Sequence, residues 1–527
     1  MKSIKEIEIK SAVNNLRIII KSKFAKFELS SLVVPFVFLV YCLFFISNAS
    51  VTRDDIFWTE LSRKIADLNY QSFFGEVVST GFLRHSILTP ILNLPVNIYH
   101  LSYFPVVLYV ILFQAFALFV ITYYSNKDSN KSESINNILI ISFVLFRPTF
   151  LLGNVFKVWQ LTYIIVTAIA ILMAFKKLFE KKTLKSLYVS FSLCGLALHF
   201  HLSAFVLLPF LLSIINFDIF TKQQLRKSVG LYLLFGNVVI FQSYITILYI
   251  VTVLSCIYLF QYVKKYMYHF YILLVAISSM LFLIELKRWS GLSPLTATIE
   301  QLPSTGLFFF EQISYYDFPI KFRWISFEVI LFLYFIFRKL VSKENLIIEK
   351  RVGNSLITMT LLALSALSLF AIKFERNSNP HQWYLVFVIF ILYYLAENIL
   401  KFKKGRIILI LLTIWSFAFN LIMQLELSQS RTSHGYYMTT LGERLDLLEN
   451  LCVRDLNRVN VISTPNSKIA WDFLIKEDSC LKPTDSVMNA DVIINERLFP
   501  WKQSTLKIDK ILNKEEWFSG ELWIKRK

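Results

Sequence analysis

Apolar blocks recur along the chain as far as residue 424, separated by short polar turns and two long polar stretches. They fall near 31–47, 104–124, 135–152, 158–175, 186–199, 202–216, 230–241, 245–262, 268–286, 324–338, 354–372, 382–399 and 407–424. A helix needs about 20 apolar residues to cross the hydrocarbon, and lipid tolerates only structures that satisfy every backbone group internally. The pattern therefore predicts about 13 transmembrane helices, with the two termini on opposite sides. Residues 186–217 and 229–263 are each divided into two short legs, which leaves "TKQQLRK" (221–227) and "KK" (264–265) on the inner side. Undivided, such a block reads as one long tilted helix or a re-entrant segment.

The first long loop, 48–103, has a different rhythm. "DIFWTELSRKIADL" carries Ile56, Phe57, Leu61, Ile65 and Leu68 at near-helical spacing. "GFLRHSILTPILNLPVNIYHL" is apolar but interrupted by Pro90 and Pro95. One or two amphipathic helices lying in the interface plane are expected there. A second long loop covers 287–322. Beyond residue 425 "LGERLDLLENL" reads as an amphipathic helix, "RVNVISTP" and "ADVIINE" as short buried strands, and "FSGELWIKRK" as a last strand. The expected fold is an all-α polytopic membrane protein with a small C-terminal α/β extracytoplasmic domain. Its parts are a basic cytoplasmic tail (1–30), a transmembrane domain (31–425) and an outward domain (426–527).

Composition agrees with this division. The 527 residues are 56% hydrophobic and 17% charged, with a mean hydropathy of +0.55. The formal charge of +19 raises nucleic acid as a partner, but its distribution removes the need for one. Seven Lys and Arg lie in the N-terminal tail, five in "KKLFEKKTLK" (176–185) and five in "RKLVSKENLIIEKR" (338–351). These are the segments the threading puts inside, as positive-inside asymmetry requires. The polar, Lys-rich start lacks the look of a cleavable signal peptide. The expected location is a plasma (inner) membrane, crossed many times, with the N-terminus cytoplasmic. Of five cysteines, Cys42, Cys194 and Cys256 lie in apolar spans. Cys452 and Cys480 are alone in the tail and are candidates for a disulfide if that tail faces an oxidising exterior.

The candidate chemistry starts at "TRDDIFW" (52–58), just outside the first span. An acid at this point can cap the following helix and complement its dipole. It can also face a membrane-surface cleft and take a proton from an acceptor hydroxyl. Two adjacent acids, Asp54 and Asp55, allow one to cap while the other works.

An acidic pair directly after the first span, a long outer loop, about a dozen spans and an outward C-terminal domain together resemble the GT-C superfamily of membrane glycosyltransferases. The resemblance implies a polyprenyl-phosphate-linked sugar donor, a catalytic base at Asp54 or Asp55, and inversion at the anomeric carbon. A second resemblance covers 154–210. "NVFKVWQLTY…CGLALHFHLSAFVLLPF" is similar to bacterial exopolysaccharide and O-antigen polymerases, on Lys157, Gln160, His201, Ser203 and Ala204, and "FERN" (374–377) matches their late outer-loop arginine. The C-terminal domain departs from that second pattern. Both resemblances imply sugars joined on a lipid carrier at the outer face, in cell-envelope polysaccharide assembly.

A departing lipid-linked phosphate needs cations at the membrane surface, Arg supplying bidentate contacts. The candidates are Arg147, Lys157, Arg288, Arg323 and Arg376, each of which can also simply snorkel to the interface. His199 and His201 form an H-x-H element. It leaves open a divalent metal, a polar substrate or phosphate contact, or a structural hydrogen bond; two residues apart on a helix, the imidazoles point to different sides. His381 is a further candidate contact to a sugar or phosphate, with a structural role as the alternative. Tyr316, within "YYD", leads the outer aromatics (Trp58, Trp289, Tyr315, Trp324, Trp383), for which stacking on a sugar competes with interfacial anchoring. No cofactor is otherwise indicated. The expected partners are the lipid-linked sugar, a glycan acceptor and membrane lipid. A transporter or flippase of lipid-linked glycans is the non-enzyme alternative, although neither inverted repeats nor Gly- or Pro-broken central helices stand out.

Overall fold

The computed structural model describes residues 30–49, 51–68, 88–127, 129–151, 155–158, 160–200, 219–240, 381–430, most of 432–496 and the strand segments 516–517 and 522–526, besides residues 204, 207 and 211. In chain order the helices are α1 (Ser30–Phe44), α2 (Arg53–Ala66), α3 (Leu88–Leu92), α4 (Leu94–Asn97), α5 (Tyr103–Asn126), α6 (Lys131–Leu145) and α7 (Pro148–Leu151). They continue with α8 (Gln160–Lys181), α9 (Leu184–Phe200), α10 (Lys222–Ile240), α11 (His381–Leu400), α12 (Gly405–Ser430), α13 (Leu441–Val453) and α14 (Pro465–Glu477). Among the described residues, three helices are long and apolar enough to cross a membrane: Tyr103–Asn126, Thr162–Lys181 and Gly405–Leu425. Ser30–Phe44 and Leu184–Phe200 are shorter apolar helices.

These helices pack as a bundle with a lipid-compatible outer surface. α5 packs on α1 and α8, α9 on both α8 and α10, and α11 on α6, α8 and α12. The apolar stretch of α8 is 83% buried, so α8 lies at the centre; that of α12 is only 28% buried. α12 exposes Ile407, Leu411, Ile414, Trp415 and Ile422. α1 divides by face: Val34, Phe38, Tyr41 and Cys42 are buried, while Val33, Phe36, Val40 and Phe44 are exposed. Exposed apolar rows of this size would destabilise a protein in water and suit hydrocarbon.

Small residues and side-chain hydrogen bonds hold the bundle together, as expected where lipid removes the hydrophobic drive between helices. A Cβ on Gly195 of α9 would stand 2.5 Å from the Tyr232 carbonyl oxygen of α10, so only glycine permits this approach. Thr122 Oγ1 donates to the Ser31 carbonyl at 2.9 Å, tying α5 to α1.

The segment "KKLFEKKTLK", expected as an inner turn from 176, begins inside a helix instead. α8 continues through Lys181, and the chain turns at Lys182, whose φ is +50°. Tertiary partners explain the difference. Lys176 pairs with Glu397 of α11 at 2.6 Å, and Lys177 donates to the carbonyls of Tyr124 and Lys127 at the end of α5. The cations complement a helix C-terminus.

After α12 the chain forms a short antiparallel pair, β1 (Thr432–Ser433) with β2 (Met438–Thr439), and then a five-stranded sheet. Its strands are β3 (Arg458–Ile462), β4 (Lys482–Pro483), β5 (Val492–Glu496), β6 (Glu516–Trp517) and β7 (Leu522–Arg526), in the order β4-β3-β5-β7-β6. β3 is parallel to β4 and β5, and β7 is antiparallel to both β5 and β6. Val459, Val461, Val492 and Ile494 point into a core shared with Trp471, Leu474 and Ile475 of α14. Cys452 and Cys480 are joined by a disulfide, with Cα atoms 5.8 Å apart. Closing a loop of this length stabilises a small domain by about 3–4 kcal/mol.

Candidate functional site

α1 ends at Phe44, and a 3-10 turn at Ile46–Asn48 redirects the chain. Asn48 fixes this turn by donating to Gln424 O, Gln424 Oε1 and Ser428 Oγ of α12 at 2.8, 2.8 and 2.9 Å. Four residues on, Thr52 is the N-cap of α2, in extended conformation. Its hydroxyl accepts the Asp55 N–H, and Asp55 Oδ2 accepts both the Thr52 N–H (2.9 Å) and the Thr52 hydroxyl (2.6 Å). "T-R-D-D" is thus a reciprocal capping box with Asp55 in the third helical position.

Asp55 is fully buried, with 0% of its surface exposed. Its second oxygen, Oδ1, accepts the backbone N–H of Val158 at 2.8 Å. The turn at 155–158 is itself pinned. Gln114 of α5 donates to the Val155 carbonyl at 3.1 Å, and Thr162 of α8 donates to the Lys157 carbonyl at 2.8 Å. Lys157 is buried beside the acidic pair. Burial holds its ammonium below the ordinary lysine range, opposed by Asp55 and then Asp54. Burial likewise raises the Asp55 carboxyl, opposed by Lys157, Thr52 and Val158.

Asp54 differs from its neighbour, since it is exposed at the surface. Its carboxyl is nonetheless raised, first by desolvation from the protein around it, with Lys157 and then Arg53 pulling it down. An accessible carboxylate with a raised affinity for protons, beside a buried ammonium, has the character of a general base.

One face of the helix that carries these acids is covered by protein. Ile56, Trp58, Leu61 and Ile65 are buried, and α2 packs on α3, α4 and α14. Ser62 Oγ donates to the Pro90 carbonyl at 2.7 Å. Leu68 lies beyond the helix end with φ +56° and is 64% exposed, so it leaves the apolar stripe. Trp58 packs edge-on to Phe57 inside this core and offers no open ring face to a sugar.

The structure brings Asp54, Asp55 and Lys157 together and takes other candidates elsewhere. Arg147 is buried, its Nη1 3.1 Å from Ser416 Oγ of α12 and its guanidinium 5.5 Å from the Phe143 ring centre. His199 Nε2 donates to the Phe235 carbonyl of α10 at 2.5 Å, a contact that joins two helices. His381 is the first residue of α11. His201, Arg288, Tyr316, Arg323 and Arg376 lie outside the described residues, as do Trp289, Tyr315 and Trp324. Among the described residues, Cys452, Asp478 and Cys480 are the one group with metal-ligand proximity, and the disulfide occupies both sulfurs.

Four contributors escaped the sequence pattern: Val158, which meets Asp55 through its backbone, and Arg63, Arg444 and Glu477 at the junction with the C-terminal domain. The acid expected to cap this helix does so as the partner of Thr52, which is the N-cap itself. No family model matches this chain, and no curated protein matches it either.

Proposed function

We propose that this protein is an integral membrane glycosyltransferase of GT-C type that acts at the outer membrane face on a polyprenyl-phosphate-linked sugar. The observation that carries the reading is the division of labour between adjacent acids: Asp55 is buried in a cap, whereas Asp54 stays exposed next to buried Lys157. In the proposed reaction Asp54 takes the proton of an acceptor hydroxyl. The freed oxygen attacks the anomeric carbon, the bond from that carbon to the polyprenyl phosphate breaks, and the phosphate leaves with the electron pair. Configuration at the carbon inverts. Lys157 keeps the pair of acids ionised, and outer-loop Arg residues, Arg376 first, hold the leaving phosphate.

The proposed topology is thirteen spans, with a cytoplasmic N-terminus and the C-terminal sheet domain outside. A disulfide in that domain fits an oxidising compartment. The role is cell-envelope polysaccharide assembly. One observation favours the related polymerase reading: Lys157, one of the five residues on which that resemblance rests, is the cation set against the acidic pair. In that reading the acceptor is itself a lipid-linked repeat unit.

A gel of surface polysaccharide from a strain lacking the gene tests both. Collapse of a long-chain ladder to one repeat unit supports the polymerase. An intact ladder with one sugar missing on composition analysis supports the transferase. An unchanged glycan removes the proposed pathway.

A further inference from the structure

The C-terminal domain touches α2 at both of its ends. Before the helix, the Leu441 N–H donates to the Ala49 carbonyl at 2.7 Å. Gly442 lies so close to Ser47 that an added Cβ would stand 2.9 Å from the serine Cβ. Arg444, fully buried, points its Nη1 at the Val51 carbonyl (3.5 Å), the residue that precedes the Thr52 cap. The same guanidinium donates to Ser467 Oγ at 2.8 Å and lies 4.9 Å from the Trp471 ring centre.

At the far end, Arg63 in the last turn of α2 pairs with Glu477 at 2.5 Å. Glu477 Oε2 also accepts the Tyr103 N–H at 3.0 Å, so one carboxylate joins α2 to the start of α5. The Arg63 guanidinium covers Phe473 at 5.1 Å. Arg444 belongs to α13 and Glu477 to α14. The Cys452–Cys480 bridge joins the end of α13 to the segment just after α14. The two grips are therefore cross-linked to each other.

We infer that the C-terminal domain is a clamp that holds α2 at both ends and so positions the Thr52–Asp55 cap and the exposed Asp54 beside it, with Arg444 and Glu477 as the positioning residues. The inference rests on the reading of Asp54 as the acting carboxylate. It assigns the domain a part in building the outer site, distinct from binding the acceptor.

The experiment is hydrogen exchange with mass spectrometry on the intact chain in detergent or nanodiscs. It compares wild type with Gly442→Ala, which wedges the front grip without removing a polar group, and with Glu477→Gln, which weakens the rear one. Both variants should speed exchange at amides 52–58 at least tenfold, while β3, β5 and α8 exchange as in wild type. That unchanged protection also shows that both parts still fold. The pH midpoint of dicyclohexylcarbodiimide labelling at Asp54, which faces Lys157 and Arg53, should move down as water reaches the cap. Wild-type exchange at 52–58 together with an unmoved midpoint in both variants overturns the clamp.

Neither readout needs turnover. An unaltered clamp with an altered glycan in the deletion strain overturns only the clamp. A loosened clamp with an unaltered glycan overturns only the transferase reading.

Discussion

Asp55 Oδ1 accepts the Val158 N–H at 2.8 Å, joining the start of α2 to a turn 103 residues away. With Thr52 on its other oxygen, this carboxylate has no free side for chemistry, and Lys157 beside it relies on its charge. Asp55→Asn offers a donor where two N–H groups and a hydroxyl already point, and it leaves a buried ammonium short of its main counter-charge. Removing one partner of a buried pair costs about 3–5 kcal/mol. Thermal unfolding in detergent should show that loss. Asp54→Asn, at an exposed position, should stay within about 0.5 kcal/mol of wild type.

The acid limb of the pH profile of transfer should lie above the ordinary carboxylate range. Asp54 must be ionised to accept a proton, and its carboxyl is raised, so activity falls on acidification at a pH above the usual carboxylate value of about 4. Lys157→Met should move the acid limb further up, because the charge that lowers the Asp54 carboxyl is gone. Initial rates across pH read the shift.

The disulfide stabilises the C-terminal domain that carries both grips on α2. Cys452→Ala with Cys480→Ala, or reduction of the bridge to two thiols, should lower that domain's stability by about 3–4 kcal/mol. Limited proteolysis should then cut within 441–496 sooner, while α5, α8 and α12 stay protected.

Gly195 is a pressure point in the bundle. The atom its Cβ would meet is a backbone oxygen of α10, which cannot rotate away. Gly195→Val should separate α9 from α10 at a cost of about 1–3 kcal/mol, read as a lower detergent melting temperature.

Much of the architecture was legible because it is local. The helical stripe Ile56–Leu61–Ile65, the strands Arg458–Ile462 and Val492–Glu496 and the helix Leu441–Val453 all follow from periodicity. What escaped is tertiary. α14 was not read because "PNSKIAWDFLIKE" spreads its apolar residues around Pro465 and four charges, and its burial comes from β3 and α2. Lys176 and Lys177 read as loop residues because their compensating partners, Glu397 and the carbonyls of α5, lie far away in the chain. The acidic pair was visible as a pair. Which acid caps and which is exposed depends on Thr52 in one direction and Val158 in the other, and only the first is near enough in sequence to be seen.

The most direct measurement is complementation of the deletion strain with Asp54→Asn, reading membrane protein level and surface glycan together. The account predicts wild-type protein level with the glycan of the deletion strain, a loss of transfer of about 100-fold or more for a missing general base. Normal protein level with wild-type glycan would contradict the assignment of Asp54 as the acting carboxylate.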